Sequence, residues 1–207
     1  MLINVSCDTF ARLSRLAQTA TDASRPWLRS VAFHRKNGQI VAIASNAAFC
    51  AVELIGKQDG PEAFLLVPIT EALVRQCIIE KEFNSVISIT YYEEHAFASL
   101  VTTFGFAPPG NVGLFPIEHI PLRDWRSWLP REISKNSTGC VFVDVDGLTA
   151  LAQSSPSGCL VFPQYMDVEK AVPIADITAK NWLGLFYPKT KGDTAVSFDK
   201  FEDWVNK

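Results

Sequence analysis

Histidine and methionine are scarce in this 207-residue chain, at three and two residues. His34, His95 and His119 stand far apart and read as half-exposed packing residues, so no metal-ligand set presents itself and neither a metal nor another cofactor is expected. The five cysteines, Cys7, Cys50, Cys77, Cys140 and Cys159, are odd in number, widely spaced and never in a C-x-x-C pair. That spacing excludes a disulfide framework and leaves a reducing compartment, with the thiols as core filler. No stretch reaches the roughly 18 uninterrupted apolar residues of a membrane span. The opening MLINVSCDTF has no basic leader, so no signal peptide is read and a soluble, cytoplasmic protein is expected. An excess of positive charge is missing too. The net charge of -3 gives no general pull toward nucleic acid or anionic membrane, so any DNA contact needs a local basic face. No G-x-S-x-G elbow, Walker loop or G-x-G-x-x-G is present.

What is present is an ordinary globular mix, 48% apolar and 20% charged, enough for one large domain or two small ones. Leu2 and Val5 open a strand, and Asp8 is placed to cap a helix. Phe10, Leu13, Leu16, Ala17 and Ala20 then recur at spacings of three and four, with Arg12, Arg15 and Thr19 on the opposite face. Strands at 31–34 and 40–43 flank Lys36-Asn37-Gly38-Gln39, a hairpin signal, and 49–55 is a third strand. The order repeats from residue 61: a strand at 64–67, a helix from Pro68 to about Glu80, and strands at 86–90 and 96–104. Residues 1–107 thus read as two β-α-β-β-β repeats in one unit. Pro108-Pro109-Gly110 opens a connector over 108–139. A third unit over 140–207 holds a strand at 140–145, a helix at 147–154, strands at 158–162, 171–174 and 182–187, and a helical tail with Phe198, Phe201 and Trp204.

Residues 24–54, SRPWLRSVAFHRKNGQIVAIASNAAFCAVEL, resemble a domain of the bacterial replicative sliding clamps, the beta subunit of DNA polymerase III. In that family an Arg-Pro turn, a strand, a hairpin and a T-D-G-H-R-L-A-type stretch follow one another. Residues 114–130, LFPIEHIPLRDWRSWLP, are similar to the family's F-P-x-Y-x-x-V-L-P linker. The resemblance implies an α+β fold of antiparallel sheets with two helices per domain, a divergent and shortened clamp. It implies no catalysis, and helices lining a hole around double-stranded DNA in a homo-oligomeric ring. Arg12, Arg15 and Arg25 fall where the family places DNA-facing charge; as plain residues they read equally as solvated surface arginines. Asn46, Phe49, Leu129 and Pro130 match a hydrophobic groove that takes short peptide motifs of replication or repair proteins. Trp125 and Trp128 beside them suit either that groove or a packed inter-domain seam.

Departures from the family leave a second reading open, a clamp-derived interaction protein that encircles nothing and binds or blocks a replication partner. The third helix carries no basic residue, Ala44–Cys50 lacks the family's charges, and Arg75 has Glu71 four residues before it as a pairing partner. A third and distant reading comes from Val143-Asp144-Val145-Asp146-Gly147. It has the look of a phosphatase motif in which Asp144 and Asp146 handle a phosphoryl group, or else of a simple helix cap.

Overall fold

The first helix is specified by its own start and by one apolar stripe. Strand β1 (Leu2–Ser6) runs directly into α1 (Cys7–Gln18). The Ser6 hydroxyl accepts from the backbone N–H of Thr9 at 3.0 Å, so Ser6 is the cap. Asp8, expected in that role, sits in the first turn, where its charge suits the positive end of the helix. Phe10, Leu13 and Leu16 are fully buried, each contributing about 1.5–3 kcal/mol by leaving water. In this computed structural model the described residues are 2–22, 24–92, 97–102, 105–106, 112–113, 144–163 and 171–187. The connector residues Trp125, Trp128, Leu129 and Pro130, together with His95, His119, Cys140 and the tail from residue 188, lie outside them.

Strands β2 (Ser30–Lys36), β3 (Gln39–Ser45) and β4 (Phe49–Lys57) follow. Between β2 and β3, Asn37 and Gly38 both take positive φ, 53° and 72°, the conformation a two-residue hairpin demands. The second repeat gives β5 (Ala63–Pro68), α2 (Glu71–Glu80), β6 (Val86–Tyr92), β7 (Phe97–Thr102) and β8 (Gly105–Phe106). Pro68 closes β5 instead of opening the helix. Thr70 is the cap, its hydroxyl accepting from Leu73 N–H at 3.2 Å. A short β9 (Val112–Gly113) precedes the third unit, which holds α3 (Val145–Ser154), β10 (Leu160–Val161), β11 (Val172–Asp176) and β12 (Trp182–Phe186).

The two repeats exchange their first strands. β1 pairs with β6 (Ile3 opposite Ile89), and β5 pairs with β2 (Val31 opposite Val67). One sheet is therefore ordered β1-β6-β7-β8, with β9 also on β7. The other is ordered β10-β11-β12-β4-β3-β2-β5, and every pairing is antiparallel. The third unit supplies β10–β12 of this second sheet and joins it at β4, with Trp182 opposite Glu53, and α3 lies beside α1. The main core joins Phe10, Leu13, Leu16, Val31, Phe33, Phe49, Leu65, Ile87, Ile89 and Leu151. The opposite face of the large sheet is also buried, at Ala32, Val41, Ile43, Cys50, Val52, Leu66 and Leu185. Burial on both faces is why these strands read as near-continuous apolar runs.

Two expectations about single residues are corrected here. Cys7, Cys50 and Cys77 are buried, and burial pushes the Cys50 thiol up to about 12, but Cys159 is exposed and is no core filler. His34 is not half-exposed. It is buried in β2, with Nε2 3.1 Å from Glu62 Oε1 and its ring edge-on to Phe64.

Candidate functional site: the helix layer and the β4 edge

The three arginines singled out by the sequence have three different surroundings. Arg12 lies not on an open polar face but in the seam between α1, α3 and β4, its side chain only 12% exposed. Its Nε donates to Asp8 Oδ2 at 2.7 Å. Its Nη1 donates to the Ser154 carbonyl at 2.7 Å and to Glu53 Oε2 at 3.2 Å, and its Nη2 donates to Glu53 Oε1 at 3.3 Å. The Thr9 hydroxyl adds a bond to Glu53 Oε1 at 3.0 Å. Burial opposes charge on Arg12, but Asp8 and Glu53 outweigh it and hold the guanidinium charged. The Ser154 carbonyl ends α3, so the cation also meets the negative end of that helix. Sequence reasoning missed Glu53 and Ser154. The signal for Glu53 was available, since it is a lone carboxylate in the apolar run Ala51-Val52-Glu53-Leu54-Ile55 and a buried charge needs a partner.

Arg15 is half-buried and has no ion-pair partner among the described residues. Arg25 is exposed and pairs with Asp22 at 3.0 Å, three residues back in its own turn. Glu71 and Arg75, expected to pair, form no ion pair within 4.0 Å. Across α1, α2 and α3 with their caps, Arg12, Arg15, Arg75 and Lys81 are set against Asp8, Glu71, Glu80, Asp144 and Asp146. Carboxylates outnumber arginines in this layer.

Phe49 is 1% exposed. It stacks on Phe186 with ring centroids 5.5 Å apart, and Gly147 of α3 presses against its ring. The expectation that Phe49 lines an open groove is therefore corrected: the chain's own β12 and α3 fill that place. Asn46 is a turn residue. Its Oδ1 accepts from the backbone N–H of Ala48 and Phe49, at 3.2 and 2.8 Å, and its Nδ2 donates to the Thr19 hydroxyl at 2.7 Å. Leu129 and Pro130 lie outside the described residues. Asp144 serves as the α3 cap: its Oδ1 accepts from Asp146 N–H at 3.2 Å and its carbonyl from Leu148 N–H at 2.9 Å. Among the described residues no group of three or more His, Cys, Asp or Glu is placed to hold a metal ion, and no helix is long and apolar enough to cross a membrane.

No protein-family model and no curated protein matches the chain. Solved structures do. A DNA polymerase sliding clamp from Pseudomonas aeruginosa superposes with a TM-score of 0.60 at 10% identity, over 92% of this chain and 66% of that one. The DNA polymerase III subunit beta from Borrelia burgdorferi gives 0.59 at 12% identity, over 93% and 63%. The beta subunit from Thermotoga maritima gives 0.52 at 10% identity, over 90% and 64%. The α+β architecture is that of the sliding clamps, carried on a divergent sequence. The chain spans just under two thirds of the length of these clamp chains.

Proposed function

We propose that this is a non-catalytic, clamp-derived binding protein of the cytoplasm that works in replication or repair through protein contacts and does not encircle DNA. The observation that carries this reading is the charge of the helix layer. A surface that follows duplex phosphates needs uncompensated Lys and Arg. Here Arg12 is spent on Glu53, Asp8 and the end of α3, Arg25 is paired with Asp22, and carboxylates outnumber arginines. A second observation supports it. The β4 edge is occupied by β12 of the same chain, so it is not open to pairing with another subunit. Residues 144–163 and 171–187 then belong to a second clamp-like unit packed on the first, and the phosphatase reading is set aside because Asp144 is used as a cap.

Fluorescence anisotropy with a labelled duplex at low ionic strength tests the DNA limb. The expected result is no saturable binding at micromolar protein. Binding whose salt slope falls by about one unit for each of Arg15→Ala and Arg25→Ala overturns the proposal and restores the DNA-lining role. The protein limb is tested by adding the purified chain to clamp-dependent primer extension, where a dose-dependent change in product length is expected.

A further inference from the structure

We infer that α2 is the contact surface of a twofold homodimer, in which the outer face of this helix packs antiparallel on the same face of a second copy. The buried side of α2 holds Leu73, Val74, Cys77 and Glu80. At 100° per residue, the opposite side collects Glu71, Ala72, Arg75, Ile78 and Ile79, and the 3-10 turn Lys81–Phe83 that follows carries Glu82 on the same side. An ordinary surface helix is polar there. On α2, Ile78 and Ile79 are 40% and 52% exposed. Adjacent in the chain, they form one apolar patch at the centre of this face, unlike a single scattered exposure that needs no explanation.

Charge complementarity selects a second copy as the occupant. A twofold axis crossing the helix between Ile78 and Ile79 places Ile78 against the other copy's Ile79. It also sets Arg75 opposite the other copy's Glu82, and the symmetry repeats both contacts. Arg75 and Glu82 have no ion-pair partner among the described residues of their own chain. An apolar centre flanked by two reciprocal ion pairs is self-complementary, as an isologous interface requires. The α2 helix has only ten residues, so the area is at the small end for specific interfaces and the association belongs in the micromolar range. The inference goes beyond the proposed function: a dimer through α2 neither needs nor excludes a replication partner.

Sedimentation velocity of the full chain across low to several-hundred micromolar concentration tests it, with circular dichroism confirming that the exposed-site variants stay folded. The wild type is expected to pass from monomer to dimer. Ile79→Glu, Arg75→Glu and Glu82→Arg are each expected to weaken dimerisation at least tenfold, and Arg75→Glu combined with Glu82→Arg to recover most of it. A wild type that stays monomeric throughout overturns the inference. So does an oligomer that ignores the three single variants, or a double reversal that fails to recover. These outcomes are independent of the duplex titration, so either reading can fail alone.

Discussion

Replacing Arg12 with alanine strips three kinds of contact at once, and the structure ranks them. The bond to Asp8 is to a carboxylate whose side chain is 49% exposed; such a helix pair contributes about 0.3–0.5 kcal/mol. The bond to the Ser154 carbonyl is a single charge-assisted hydrogen bond, about 1.5–3 kcal/mol. The two contacts to Glu53 are different in kind, because the Glu53 side chain is 6% exposed. Removing its cation leaves a buried carboxylate with only the Thr9 hydroxyl among the described residues, and breaking a buried pair from one side costs about 3–5 kcal/mol. These terms overlap, so the expected loss for Arg12→Ala is about 3–5 kcal/mol, a large share of the stability of a domain this size.

Urea unfolding at pH 7, followed by circular dichroism, measures that loss. The informative comparison replaces both partners at once. If the cost of Arg12→Ala comes mainly from the stranded carboxylate, Arg12→Met with Glu53→Leu should be more stable than Arg12→Ala alone, since apolar replacement of both partners of a buried pair is often neutral. Arg12→Lys should recover only part of the loss, because an ammonium cannot reach both Glu53 oxygens and the Ser154 carbonyl with the fork of a guanidinium. A cost below about 1 kcal/mol for Arg12→Ala, the range of an exposed arginine, refutes the seam assignment and returns Arg12 to the surface.

Two further outcomes follow from packing and titration. Gly147→Ala in α3 would ordinarily stabilise a helix by up to about 1 kcal/mol; here the added methyl meets the buried Phe49 ring, with Cδ2 at 2.7 Å and Cε2 nearer still. A loss of about 1–3 kcal/mol is expected instead, and a gain in thermal stability contradicts the Phe49 placement. Burial alone would raise the Asp176 carboxyl. The backbone N–H groups of Ser157, Ala179 and Thr178 and the Ser157 hydroxyl outweigh it and hold the group far below the usual range. A depressed folded-state value stabilises above the unfolded value of about 4 and is lost as pH falls below it. Asp176→Asn should therefore cost about 1–3 kcal/mol at pH 7, with the gap to wild type closing as the pH drops below about 4. A gap unchanged down to pH 2 contradicts this.

The β-α-β-β-β repeats were legible because each element carried a local signature. The three-and-four spacing of Phe10, Leu13 and Leu16 marked α1, Asn37-Gly38 marked a hairpin, and the apolar runs marked the strands. What local patterns do not encode is which elements meet. The exchange of β1 and β5 between repeats is a tertiary choice, and so is the pairing of β12 with β4. The second of these decides the site. Arg12 reads as solvent-facing only while α1 is considered alone; once α3 lies against that side, the polar flank becomes a seam and the arginine becomes its partner for Glu53. Phe49 reads as a groove residue only while β4 is an edge. With Phe186 paired opposite it and Gly147 against its ring, the same aromatic becomes core. The third unit thus both seals the hydrophobic position and neutralises the cation on which the DNA-encircling reading depended. It does so from a segment whose own helix brings two carboxylates and no positive charge. Under the proposed reading these two linked places remove uncompensated positive charge from the helix layer, while the surface of α2, with its exposed isoleucines and an Arg75 that has no ion-pair partner among the described residues, offers a place for a protein contact.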